Sequence, residues 1–335
     1  MTETQSPTSE NSPAAGPLYF GRDAVARDLG FPACIDAVRQ AMIALSSGET
    51  LQLPRAMIGM GEQRTYGLMA GALGTRSYFG SKLVAVFADP TQPGRTRHEG
   101  LVVVFDGENG DLVCTLDAGA VTQIRTAAAT AVATAALARP DAEVLALIGC
   151  GHQAHAHVEA IAHARKLRRV IVWGRSPDRA AAFAADTHQR LGLTVEIAPD
   201  VRTAVADADI ICTLTGAKTP ILHGDWVNPG AHVNLVGSSG PGPVEADEAL
   251  VLRGRYFVES RENARLAASE FLLAKASGAI DDRHIAAEIG EVLAGSSAGR
   301  TSPDEITIYK SLGHVVQDLA AAKYLYERHL AGRAR

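Results

Sequence analysis

The stretch VLALIGCGHQAHAHVEAI, Val144–Ile161, decides the fold. An apolar run leads into Gly149, Cys150 and Gly151, and then into three histidines, His152, His155 and His157. Two readings compete: a loop that cradles a dinucleotide, or a histidine cluster that holds a metal. Gly149-Cys150-Gly151-His152-Gln153-Ala154 fits G-x-G-x-x-A directly after a buried strand and at the start of a helix. The first glycine permits the tight turn, the second lets the backbone approach a pyrophosphate, and the small third residue lets helix and strand pack closely. The helix start then offers free N–H groups and the positive end of its dipole. The histidines do not repeat at a spacing that places them on one helix face. No cysteine or carboxylate nearby completes a ligand set. The dinucleotide reading is therefore adopted, with no metal expected, and Cys150 is read as filling a small space beneath the pyrophosphate.

The next strand reads VIVWGRSPDR, Val170–Arg179. A site selective for NAD usually ends this strand with an acid that binds the ribose 2′-hydroxyl. Here it ends in Arg175 and Ser176, and the first acid is Asp178. A guanidinium suits a 2′-phosphate by charge and by its forked donors. NADP is expected, with NAD as the alternative.

Outward from this loop the pattern is regular. Strands are expected at Val144–Ile148, Val170–Gly174, Thr194–Ile197, Ile210–Leu214, Val233–Val236 and Tyr256–Val258. Helices are expected at Gln153–Lys166, Pro177–Leu191 and Val201–Ala206. Such alternation means a parallel sheet covered on both faces. Before it, Leu18 to about Gly48 repeats apolar residues at helical spacing, and Leu51 to about Asp117 is β-rich, with DGENGD (106–111) as a hairpin turn. An Ala-rich helix, Thr122–Leu137, joins the two regions. From Asn263 to Leu330 the chain reads as helical apart from GRTSPDEITIYKSLG, 299–313.

Composition bounds the function. The 335 residues carry 47% hydrophobic and 21% charged side chains, an ordinary globular balance. A net charge of −5 without a basic block argues against a nucleic-acid partner. The four cysteines, Cys34, Cys114, Cys150 and Cys212, are far apart and form no CxxC pair. Residues 1–17 read as a disordered tail rather than a signal peptide, and TAAATAVATAALA (126–138) is too short to span a bilayer. The expectation is a cytoplasmic protein without a membrane partner.

Five segments together carry a resemblance: VTQIRTAAATAVAT, LALIGCGHQA, ADIICTLTG, HVNLVGSSGPGPVEAD and EITIYKSLGHVVQDLAAA. In this order they resemble the ornithine cyclodeaminase/mu-crystallin family, over roughly Leu51 to Ala322. The family comprises cyclodeaminases, an alanine dehydrogenase type, ketimine reductases and related imine or amino-acid oxidoreductases. The resemblance implies an α/β fold: a Rossmann dinucleotide-binding domain, residues 126–304, inserted in a mixed α+β substrate-binding and dimerisation domain, residues 18–125 and 305–335. It also implies a homodimer.

The resemblance implies site residues as well. Arg55 in LPRAM lies near the substrate, Lys82 in FGSKLV at the reacting centre, and Arg125 in IRTAA on the substrate carboxylate. These types suit a small imino or amino acid, because a guanidinium clamps a carboxylate and a lysine beside the C=N carbon orients it or moves a proton. Their ordinary alternatives are surface pairing for Arg55, a solvated strand position for Lys82, and helix capping or a phosphate partner for Arg125. Thr126 is implied near the cofactor phosphates, Thr215 under the ribose, Val236 and Gly237 near the nicotinamide, and Ser311 as a further cofactor contact. Lys310 is implied near the nicotinamide amide or the substrate. For the hydroxyls, the alternative is local bonding to backbone. Glu245 and Asp247 match an acidic pair read as capping the next helix. Met57, Tyr66, Met69 and His98 are read as lining the substrate pocket.

One departure matters. The cyclodeaminases place an acid/base aspartate where this chain has Ser239, beside the cofactor. A serine cannot take that role near neutral pH without a base beside it. The reading is therefore an NAD(P)H-dependent oxidoreductase that reduces a carboxylate-bearing imine, or runs the reverse oxidation. A cyclodeaminase using NAD catalytically, and a non-catalytic NADP- or small-ligand-binding protein, stand as alternatives.

Overall fold

The computed structural model describes residues 16–61, 64–89 and 96–333. The expected tail falls outside the described residues up to position 15. The run expected to be helical from Leu18 opens instead with a strand, β1 (Leu18–Phe20), before α1 (Arg22–Asp28) and α2 (Phe31–Ser46). Gly21 stands between β1 and α1 in an extended conformation and serves as the helix N-cap. On α2, Cys34, Val38, Ala41, Met42 and Leu45 recur at helical spacing and are buried in the first core.

Short strands follow: β2 (Leu51–Gln52), β3 (Ala56–Gly59), β4 (Thr65–Ala72), β5 (Phe79–Ala88), β6 (Thr96–Phe105) and β7 (Leu112–Asp117). They form one sheet in the order β1-β7-β6-β5-β4-β2, with β3 also on β4. Every pair is antiparallel except β1 with β7. Alternation gives the sheet two characters. Met69, Lys82 and Val102 stand opposite one another on the inner face and are buried. Leu68, Leu83 and Leu101 form the next row, on the outer face, where Leu68 and Leu101 are exposed.

Asp117 caps α3 (Ala118–Leu137) by accepting from the Ala120 N–H at 2.7 Å. The expected domain boundary at 125/126 falls inside this helix. Its alanines and threonines are buried almost all round, because α2 and the first sheet approach it from one side and α4 (His152–Ala164) from the other.

The second sheet begins with β8 (Val144–Ile148). It continues through β9 (Arg169–Trp173), α5 (Pro177–Leu191), β10 (Val195–Ile197), α6 (Val201–Val205), β11 (Ile210–Thr213) and β12 (His232–Leu235). Then come α7 (Glu248–Arg253), β13 (Gly254–Val258), α8 (Arg261–Ala267), α9 (Ser269–Ala276), β14 (Ile285–Glu288), α10 (Ile289–Leu293), β15 (Ile306–Lys310) and α11 (Val315–Arg333). All its strands are parallel, in the order β10-β9-β8-β11-β12-β15-β13-β14. The first five give the 3-2-1-4-5 order of a Rossmann sheet, and β15, the last of these strands in the chain, takes the sixth place; a core lies on each face.

The segment from 305, expected to rejoin the first domain, first inserts β15 between β12 and β13. The chain returns only with α11, which packs on α2, α3 and the antiparallel sheet. β14, in a region read as helical, is a strand because it pairs with β13. Among the described residues, no helix is long and apolar enough to cross a membrane.

Candidate active site

The glycine loop bends at Gly149, whose φ of +122° only glycine adopts readily. A Cβ there would lie 2.8 Å from the Leu214 carbonyl oxygen, so the β8 and β11 loops can approach only over a glycine. At Gly151 a Cβ would meet nothing within 4 Å, which leaves the loop open above. No side chain caps α4 at this end and no acid lies in its first turn. The Gln153 side-chain oxygen is buried with no hydrogen-bond partner among the described residues. The loop borders a cleft of about 780 Å³, lined also by Trp173, Arg175, Ser176, Arg179, Thr215 and Lys218. Among the described residues no acidic side chain lines it. These features fit a bound dinucleotide.

The histidines separate. His152 is exposed, and its carbonyl accepts from Gln123 Nε2 at 3.3 Å. His155 Nδ1 lies 3.0 Å from Asp186. His157 is buried between Thr130 Oγ1 and the Gln153 carbonyl, and burial lowers its pKa to about 4. Among the described residues no group of three or more His, Cys, Asp or Glu side chains is placed to hold a metal ion. Ala154 is buried against β8 and its neighbours. Ser176 caps α5 by accepting from the Arg179 N–H. A Cβ on Gly174 would lie 2.5 Å from Cys150 Sγ, so that thiol sits against the β9 turn.

Across the molecule a polar cluster is buried between the two sheets. Lys82 points inward from β5 at 3% exposure, and Arg125 from α3 at 4%. Asp318, in the first turn of α11, has 0% exposure and lies between them. Its Oδ1 accepts from Lys82 Nζ at 3.2 Å and from Arg125 Nε at 2.9 Å. Arg125 Nη1 also donates to Gln317 Oε1 at 2.7 Å. Burial lowers the Lys82 pKa to about 8, against the opposing pull of Asp318. For Asp318 burial favours the neutral acid, but Arg125 and Lys82 outweigh it and hold the carboxyl below its ordinary value. Arg55 reaches in from the segment before β3 and donates to the carbonyls of Ser239 and Gly313, each at 2.9 Å, and of Leu312. Those carbonyls follow β12 and β15, so the cluster sits at the carboxyl ends of the parallel strands, where open α/β sheets bind ligands.

Two buried acids hold the loops around it. Glu259, at the end of β13, accepts from the Leu312 and Gly313 N–H groups at 2.9 and 2.7 Å, and from Gln317 Nε2, Tyr309 Oη and Ser311 Oγ. Glu245 accepts from Thr213 Oγ1 and from Thr215 N and Oγ1, and also from the Ser238 N–H. Glu245 is thus a loop anchor rather than a helix cap; burial raises its pKa. Asp247 alone caps α7, through Leu250 N–H.

The remaining expected residues have the following partners and positions. Lys310, expected near nicotinamide or substrate, is wholly buried, and its ammonium donates to Glu270 at 2.8 Å and to Ser238. Ser311 spends its hydroxyl on Glu259, and Thr215 on Glu245. Ser239 exposes its side chain and offers its carbonyl to Arg55. Thr126 and Val236 are buried, and Gly237 packs against Thr215. Of the expected pocket residues, Met69 and Met57 share the Lys82 face, whereas Tyr66 stands on the outer one. The His98 side chain lies outside the described residues. Asp318, Gln317 and Glu259 were not singled out from the sequence. The available signal was a pair of polar residues, Gln317-Asp318, starting an otherwise Ala-rich apolar run.

The chain is similar to known proteins over most of its length. Ketimine reductase mu-crystallin of Mus musculus is 34% identical over 287 residues, covering 85% of this chain and 88% of the mouse protein. The structure of Thermococcus litoralis Δ1-pyrroline-2-carboxylate reductase in complex with NADH and L-proline superposes with a TM-score of 0.90 at 28% identity, covering 94% of this chain and 98% of that one. An archaeal alanine dehydrogenase dimer with bound NAD superposes with a TM-score of 0.88 at 29% identity, covering 95% and 97%. The ornithine cyclodeaminase/mu-crystallin family model matches residues 21–333, and the chain belongs to that family.

Proposed function

We propose that this protein is an NAD(P)H-dependent oxidoreductase that reduces a carboxylate-bearing imine, a 2-imino acid or cyclic ketimine, to the amino acid, or runs the reverse oxidation. The observation that carries this is the buried Lys82–Asp318–Arg125 cluster at the carboxyl ends of a Rossmann sheet. A nicotinamide dinucleotide, when bound, supplies the hydride. Arg125, held from behind by Asp318 and Gln317, presents its remaining Nη2 to the substrate carboxylate. Lys82 donates the proton that the imine nitrogen takes up. Arg55 closes the Ser239 and Leu312 loops over the site and keeps water out. Ser239 offers no carboxylate for the acid/base work of a cyclodeaminase, which favours the simpler reductase.

The cofactor is proposed to be NADPH. Arg175, Arg179 and Lys218 line the cleft beside β9, and among the described residues no acid lines it to bind a 2′-hydroxyl. The test follows absorbance of the reduced nicotinamide with proline- and pipecolate-sized cyclic imines, and with 2-oxo acids plus ammonia or methylamine. NADPH is expected to disappear with at least one imine. Arg175→Ala is expected to raise the NADPH KM about tenfold, the scale of one charge-assisted hydrogen bond, and to leave NADH unchanged. Equal effects on both cofactors would sink the 2′-phosphate assignment, and silence with every imine would sink the reductase reading.

A homodimer through the outer face of the antiparallel sheet belongs to the same proposal. Ile58, Leu68 and Leu101 are exposed there in adjacent rows, a patch of the kind that marks an interface. The double substitution Ile58→Asp, Leu68→Asp is expected to convert a sedimenting dimer into monomer. A substituted protein that still sediments as a dimer would place the interface elsewhere.

A further inference from the structure

Asp318 has the geometry of a part that serves two others. One of its oxygens takes both cations, Lys82 Nζ at 3.2 Å and Arg125 Nε at 2.9 Å. The other, Oδ2, is buried without a hydrogen-bond partner among the described residues. Burying an ammonium and a guanidinium side by side is costly, since each repels the other and both lose water. A carboxylate between them offsets that cost and also fixes how far apart they stand. Removing it entirely would leave two uncompensated buried charges.

We propose that Asp318 is the positioning residue of this site: through a single oxygen it ties the Lys82 ammonium to the Arg125 guanidinium, so that proton donor and carboxylate clamp meet one substrate as a unit. Its consequence for turnover rests on the reductase reading above; the tie itself does not. Among the described residues, the charged groups that act most on Lys82 are Asp318 from α11, Arg125 from α3 and Arg55 from the segment before β3. Its cross-strand neighbours Met69 and Val102 are uncharged. Among these groups Asp318 alone favours the charged lysine; burial and both guanidiniums oppose it.

The test is an NMR titration of the full-length protein labelled with [ε-13C]lysine, the Lys82 resonance being the one lost in Lys82→Met. In Asp318→Asn the Lys82 midpoint is expected to fall by about one pH unit or more. In steady-state assays the alkaline limb of kcat moves down with it. Asp318→Glu keeps the charge but displaces the oxygen by a methylene. It is expected to raise KM for the imino acid about tenfold or more, with kcat falling less. An unmoved Lys82 midpoint in Asp318→Asn overturns the proposal. If Asp318→Asn does not fold, a folded Asp318→Glu protein with unchanged KM overturns it equally. If the unsubstituted protein reduces no imine, the reductase reading fails while the titration still decides the tie.

Discussion

Lys82→Met is expected to lower kcat for imine reduction about 10²–10⁴-fold, the usual worth of a placed general acid. Dinucleotide affinity should stay unchanged, because Lys82 lies on the antiparallel sheet and the glycine loop on the other. The pH profile separates a proton donor from a mere spacer. Burial brings the Lys82 ammonium down to about 8, so it is charged below that pH and neutral above it. Imine reduction should therefore hold its rate on the acid side of about pH 8 and lose it as pH rises through that value. The reverse oxidation needs the neutral amine and should gain over the same interval. Both limbs should vanish in Lys82→Met. A profile that keeps its limb in that variant would assign the proton to another group.

Gly313→Ala is expected to reduce kcat/KM for the imine about 10²-fold, with the larger part in KM, although the substitution adds one methyl group. Gly313 has a φ of +78°, where a side chain is strained by roughly 1 kcal/mol. The added Cβ would also lie 2.7 Å from Arg125 Nη1 and 2.9 Å from Nη2. The backbone at this point cannot move freely, since its N–H is held by Glu259 and its carbonyl by Arg55. The guanidinium must give way, and with it the carboxylate clamp. Isothermal titration with NADPH should show cofactor binding preserved. Unchanged kcat/KM would mean that Arg125 does not hold the substrate where its position implies.

Much of the parallel half was legible because its signals are local. The expected spans Val144–Ile148 and Pro177–Leu191 coincide with β8 and α5. One is a run of buried apolar residues ended by glycine; the other starts at Ser176-Pro177 and stops at Gly192 with a φ of +69°. β14 was not legible, since Ile285-Ala-Ala-Glu288 suits either helix or strand and only the edge of β13 decides. The position of β15 was hidden for the same reason. Ile306–Lys310 reads only as part of a break in a helical region, and nothing local shows the gap that receives it. Lys82 and Arg125 could be named through the resemblance. Asp318 could not be chosen from composition alone, because its meaning comes from a lysine 236 positions away. Tyr66 was misplaced by one step of alternation: it shares a strand with Met69 but not a face.

The insertion of β15 also sets an order in time. A ribosome delivers β8 through β12 and then β13 and β14 well before Ile306 emerges. Until then β12 and β13 each present an open hydrogen-bonding edge to a slot that no earlier segment is written to fill. The nascent chain must therefore keep the β12 and β13 edges apart, or let them close wrongly, until β15 arrives. The helix that then follows, α11, carries Asp318 to Lys82 and Arg125. Completion of the sheet and assembly of the Lys82–Asp318–Arg125 cluster are thus coupled, so a chain that lacks the segment from β15 through α11 holds neither.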